Sequence, residues 1–150
     1  MRRSTRLASV ALATSTLAIM GCGSSEKPLT RAELTAKANA ICKTVTAKLA
    51  TKTIKSQQDI ARIAPELAGF EQTALGELSK LVPPAGLAND WKQFVAGAET
   101  LAENTDKLGE YAKQNNLKSA GALIVSSEKT QKQMQALAKR DGIVACEQVA

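Results

Sequence analysis

From residue 29 onward, apolar residues recur at steps of three and four, the spacing of helices that each bury one face. The first such stretch follows "LTRAEL" and sets Leu34, Ala38, Ile41, Val45 and Leu49 on one stripe. Thr30 stands at its cap position with Glu33 three residues on, a capping box, and Leu29 and Leu34 are spaced as a hydrophobic staple. A second stretch starts near Ser56 and carries Ile60, Ile63, Leu67, Phe70, Ala74, Leu78 and Leu81, until "VPPAG" stops it. The third runs from about Leu87 to Ala112, with Trp91, Phe94, Ala98, Leu101, Thr105 and Leu108 inward. After the short turn "KQNN", the fourth runs from about Ser119 to Arg140 with Leu123, Ser127, Thr130, Met134 and Leu137 inward. Gly142 is placed to end it in a left-handed conformation, with Ile143 packing back on the last turn.

Stretches of about 22 to 27 residues make helices of roughly 33–40 Å. Short connections leave sequential neighbours antiparallel. The pattern therefore predicts an all-α fold, an antiparallel up-down-up-down four-helix bundle over residues 30–150. Pro65 inside the second stretch admits two readings, a kink or the first residue of a new helical segment.

The N-terminus reads differently. "MRRSTR" is basic, and Leu7 to Met20 is an apolar run of fourteen residues broken by Ser and Thr. A basic start, a short apolar run and small residues after it make a secretory signal. A spanning helix needs about 20 apolar residues, so this run is too short for a permanent transmembrane anchor. The next four residues, "IMGC", resemble the bacterial lipobox. That resemblance implies a diacylglycerol thioether on Cys22, cleavage after Gly21 and, in many bacteria, acylation of the new amine. Two or more acyl chains hold a protein stably where one does not. The expected layout is a removed signal over 1–21, a lipidated tether over 22–29, and a bundle exported and anchored to the outer face of the cell membrane.

Without residues 1–21 the basic side chains fall from 20 to 17 against 14 acidic ones, so the net charge of +6 becomes +3. This mild excess, on an exported chain, argues against nucleic acid as a partner. Lys43, Lys48, Lys52 and Lys55 read as the solvated face and end of a helix, with anionic headgroups or wall polymers as the alternative.

With Cys22 given to lipid, Cys42 and Cys146 remain, and an exported chain with one such pair is expected to form a disulfide. A redox-active pair wants close spacing or an activating neighbour such as His, and the chain has no His. Cys42 falls level with about residue 133 of the fourth helix. The tail after Arg140 must then fold back about 10 Å, within the roughly 20 Å that six extended residues reach.

Candidate chemistry is sparse. The chain shows no Cys-x-x-Cys, nucleophile elbow or phosphate-binding glycine loop, and the Glu-x-x-His pattern of di-iron bundles is excluded by composition. No cofactor, metal site or enzymatic activity is expected. Glu66 with Glu77, and Glu99 with Glu103, read as solvated acids, and Glu103 is spaced to pair with Lys107. Trp91 and Phe94 read as a core plug, with the floor of a pocket as the alternative.

Thr105 and Ser127 interrupt apolar stripes at equal distance from Asn116, so antiparallel helices set them at one height, with Thr130 near and Pro65 within a turn. Three readings stand for this polar layer: hydroxyls bonded to their own helix carbonyls, a buried water, or a small-ligand site.

"AKANAICKTV", "LVPPAGLANDWKQF" and "DGIVAC" resemble stretches of small lipoproteins common in actinobacteria. Asn39 departs from that family's frequent Ala-Asp-Ala-Ile-Cys. The resemblance implies a cysteine-stapled helical bundle outside the membrane and carries no catalytic residue across. The resulting expectation is a binding or interaction module at the cell envelope, tied to the bilayer through acylated Cys22. An envelope protein is one possible partner. The alternative is a carrier of a small apolar or amphipathic ligand within the bundle.

Overall fold

Capping chemistry sets where the helices begin. In the structure, a computed structural model that describes residues 27–148, Thr30 caps α1 (Arg31–Ala50). Its hydroxyl accepts from Glu33 N–H at 3.3 Å while the Glu33 carboxylate accepts from Thr30 N–H at 2.8 Å. Ser56 and Asp59 form the same reciprocal box at the start of α2 (Gln57–Leu78). A 3-10 turn over Ala85–Leu87 leads into α3 (Ala88–Lys113), one residue later than the periodicity predicts. Asn116 accepts from Ser119 N–H at 3.1 Å and starts α4 (Leu117–Asp141) two residues early. Leu117 is exposed, so it lies off the stripe that the periodicity detects.

The four helices pack as the predicted all-α bundle. Neighbouring helices are antiparallel and are tied both at their ends and at mid-length. Gln57 Nε2 donates to Ala112 O at 2.6 Å across α2 and α3, and Asn104 Nδ2 donates to Ser127 Oγ at 2.9 Å across α3 and α4. Helix α2 runs through Pro65 unbroken. Gly109 of α3 faces that proline, and a Cβ there would stand 3.0 Å from Pro65 Cδ and 3.1 Å from Ala64 Cβ. The missing side chain lets α3 approach α2 at the one place where a proline ring thickens the helix.

The C-terminal tail closes the bundle. Gly142 sits at φ 80°, and Ile143 N–H donates to Ala138 O at 2.8 Å while Gly142 N–H donates to Lys139 O, a Schellman ending. The chain then turns into a 3-10 segment (Val144–Gln148) that packs against both α1 and α4. Cys146 bonds to Cys42 there, with Cα atoms 5.1 Å apart. Asn39 straps the same segment, since its side-chain oxygen accepts from Ala145 N–H at 2.8 Å and its amide donates to Gly142 O at 3.5 Å. An aspartate at this position would keep the acceptor and lose the donor.

The core gathers Leu34, Ala38 and Cys42 of α1, Trp91 and Phe94 of α3, Met134 and Ala138 of α4, and Ile143 of the tail. Trp91 and Phe94 are both buried and stack with centroids 5.6 Å apart, the core plug expected of them.

Candidate functional site

Thr105 on α3 and Ser127 on α4 are half-buried and line one groove of about 320 Å³ with Asn104 and Glu71. Their hydroxyls turn back to their own helices: Thr105 Oγ1 donates to Leu101 O at 3.0 Å and Ser127 Oγ to Leu123 O at 2.9 Å. Ser127 Oγ still accepts from Asn104, so the two helices are bridged at this level. Thr130 is not part of the layer. It faces Gly97 and lines a separate groove of about 280 Å³ with Gln93, Gln133 and Arg140. Pro65 packs beside Gly109, four residues and so about one turn from Thr105.

The group that periodicity missed is Glu71. It stands four residues after Leu67 and three before Ala74, an acid on the apolar face of α2. Its Oε2 is buried with no hydrogen-bond partner among the described residues. Burial pushes this carboxyl above the usual range, and the Thr105 hydroxyl beside it draws it partway back. Glu71 and Leu101 also line an inner cavity of about 50 Å³ walled by Phe94, Met134 and the Cys42–Cys146 bond. A half-buried carboxylate thus stands between a small apolar cavity and an open polar groove. Its Oε2 is an acceptor that meets no donor among the described residues.

The expected lysine cluster divides. Lys52 Nζ pairs with Glu66 at 2.6 Å, and Lys48 Nζ lies 5.3 Å from the centre of the Phe70 ring. Lys48 is in the last turn of α1 and Lys52 just past its end, both about 30 Å from its start. Glu66 is therefore a salt-bridge partner, while Glu77 lies on a different surface. It faces a groove of about 500 Å³ beside the start of α1, lined also by Lys27, Leu29, Lys37, Ile41 and Lys80. Glu103 pairs with Lys107 at 3.3 Å, as its spacing predicts. Asp141, at the end of α4, is 5 % exposed. Burial and the nearby Asp90 raise its pKa, against the pull of Arg140 and Arg31.

Cys22 and Gly21, the lipidation and cleavage positions, lie outside the described residues. Among the described residues no helix is long and apolar enough to cross a membrane, and no three His, Cys, Asp or Glu side chains cluster as metal ligands would. No family model, curated protein or solved structure matches the chain.

Proposed function

We propose that the protein is an exported lipoprotein, anchored through acylated Cys22, whose bundle works as an interaction module close against the membrane. The observation that carries this reading is where the bundle first holds the chain. Leu29 N–H donates to Val82 O at 2.9 Å, so only residues 23–28 separate the lipobox cysteine from the folded body. Six residues span about 20 Å at most. Such a tether keeps the start of α1 and the end of α2 within about 20 Å of the bilayer. Helix α4 exposes three large apolar side chains, Leu117, Ile124 and Val125. Exposed apolar side chains of this size are compatible with a partner's covering them.

Cys22→Ala is expected to move the protein from the membrane pellet to the soluble fraction, or to leave it unprocessed, by immunoblot of fractionated cells. A variant that stays both processed and membrane-bound overturns the reading.

A second reading is favoured by Glu71 Oε2, which has no hydrogen-bond partner among the described residues. It makes the bundle a carrier of a small amphipathic molecule whose donor meets this carboxylate and whose apolar end lies along Leu101. Ser127→Leu fills the shared groove and is expected to abolish any small-molecule adduct in the native mass of protein taken from its own membranes. An adduct that persists in this variant sinks the carrier reading.

A further inference from the structure

We infer that the groove between α1 and the end of α2 is a binding site for an anionic phospholipid of the membrane to which the protein is tethered. The inference rests on the lipid-anchored reading above, and three observations carry it. First, the groove is amphipathic: Leu29, Ile41 and Leu81 give it an apolar lining, and Lys27, Lys37 and Lys80 stand along it. Second, its charge is unbalanced. Three lysines face one acid of the groove, Glu77. None of the three enters an ion pair among the described residues. Glu33 lies within Coulombic reach of Lys27 and Lys37, but its carboxylate is committed to the Thr30 cap. Third, the groove sits where the tether joins the body: its lining includes Lys27 of the tether and Leu29, whose N–H bonds to Val82 O.

These features match the parts of a lipid. A phosphate is met by ammonium groups, and an acyl chain by the apolar lining. A bare surface of lysines would draw any anion, whereas an apolar floor under the lysines selects an amphiphile. Tethering adds to this, because a lipid-anchored bundle meets headgroups at an effective concentration far above that of a free protein. The lysines at the far end of α1 take no part, since Lys52 is paired and Lys48 lies against Phe70.

The test uses the mature protein, purified in a non-ionic detergent and titrated with dioctanoyl phosphatidylglycerol or dioctanoyl phosphatidylcholine, read by native mass spectrometry. The expected result is a one-to-one adduct with phosphatidylglycerol at a concentration at least tenfold lower than with phosphatidylcholine. Each basic side chain near an anionic surface contributes about fivefold. Lys37→Glu with Lys80→Glu should therefore raise the phosphatidylglycerol midpoint by at least tenfold while leaving the phosphatidylcholine titration in place. All three lysines are exposed, and an unchanged circular-dichroism melt confirms the variant's fold. Equal uptake of the two lipids, or an unaltered midpoint in the variant, overturns the inference. So does displacement of the adduct by inorganic phosphate, which would mark a site for free phosphate. If wild-type protein takes neither lipid while Cys22→Ala takes phosphatidylglycerol, the groove holds the protein's own acyl chain and the inference fails. The denatured mass of the same sample reports acylation of Cys22 separately, so the anchor and the groove fail independently.

Discussion

Cys42→Ala with Cys146→Ala is expected to lower the stability of the bundle by about 4 kcal/mol, measured by urea denaturation without reductant. The bond closes a loop of sequence separation 104, and cross-linking a loop of that length removes much of the unfolded chain's freedom. The same loss should lower the melting temperature by roughly 15 °C for a domain of this size. The folded state is affected too. Apart from the disulfide, the 3-10 segment over residues 144–148 is held by the Asn39 bonds and by burial of Ile143 and Ala145. Cys146 is fully buried in the seam that this segment forms against α1 and α4. Amide exchange in the pair variant should therefore rise first in residues 143–148 and then along α1, which packs on this segment and on α2. A loss below about 1 kcal/mol would show that the tail docks without its staple.

Glu71→Leu should change stability in the opposite direction, raising it by about 1–3 kcal/mol at pH 7, the usual cost of a buried polar atom left without a partner. Leucine meets the apolar wall that Leu75, Leu78 and Leu101 already form around the inner cavity. The gain should depend on pH. Burial raises the folded-state pKa of Glu71 above its unfolded value of 4.5, so the folded protein holds this proton more tightly than the unfolded chain. Stability contributed by such a group is complete below the unfolded pKa and is lost as pH rises through the folded one. The difference between Glu71→Leu and wild type should therefore be largest at neutral pH and shrink as pH falls toward 4. Urea midpoints at several pH values read it directly, and a difference that does not vary with pH would contradict the assignment.

The carrier reading can be read from the same variant. If a small molecule travels with wild-type protein and is absent from Glu71→Leu, the unpaired oxygen is its acceptor. If the adduct survives, the carboxylate has no part in holding it.

Much of this architecture was legible in residue order because its causes are local. A capping box is a spacing of three, a buried face is a period of three and four, and a helix ending is a glycine where φ must be positive. Those rules placed Thr30, Gly142 and four stripes, and short turns made the helices antiparallel. Cysteine arithmetic paired Cys42 with Cys146, because one pair admits one bond. Local rules were weaker where a cap replaced the period as the start signal. Helix α4 begins at Leu117 on the strength of Asn116, ahead of the first residue on the stripe.

What only the tertiary structure decided concerns rotation and height between helices. A period identifies which side chains share a face, and it does not say which neighbour each edge of that face meets. Thr130 follows Ser127 by three residues, which turns it about 60° around α4 and moves it about 4.5 Å along the axis. That step carries it from the groove of Thr105 to the groove of Gly97. Periodicity did not single out Glu71, whose Oε2 the fold buries with no hydrogen-bond partner among the described residues. The lysines divided for the same reason. Proximity to Glu66 neutralised Lys52, while Lys27, Lys37 and Lys80, scattered over 54 positions of sequence, came to line one groove. Helices and their faces follow from neighbours in the chain, whereas burial, pairing and shared grooves follow from neighbours in space, and packing alone supplies those.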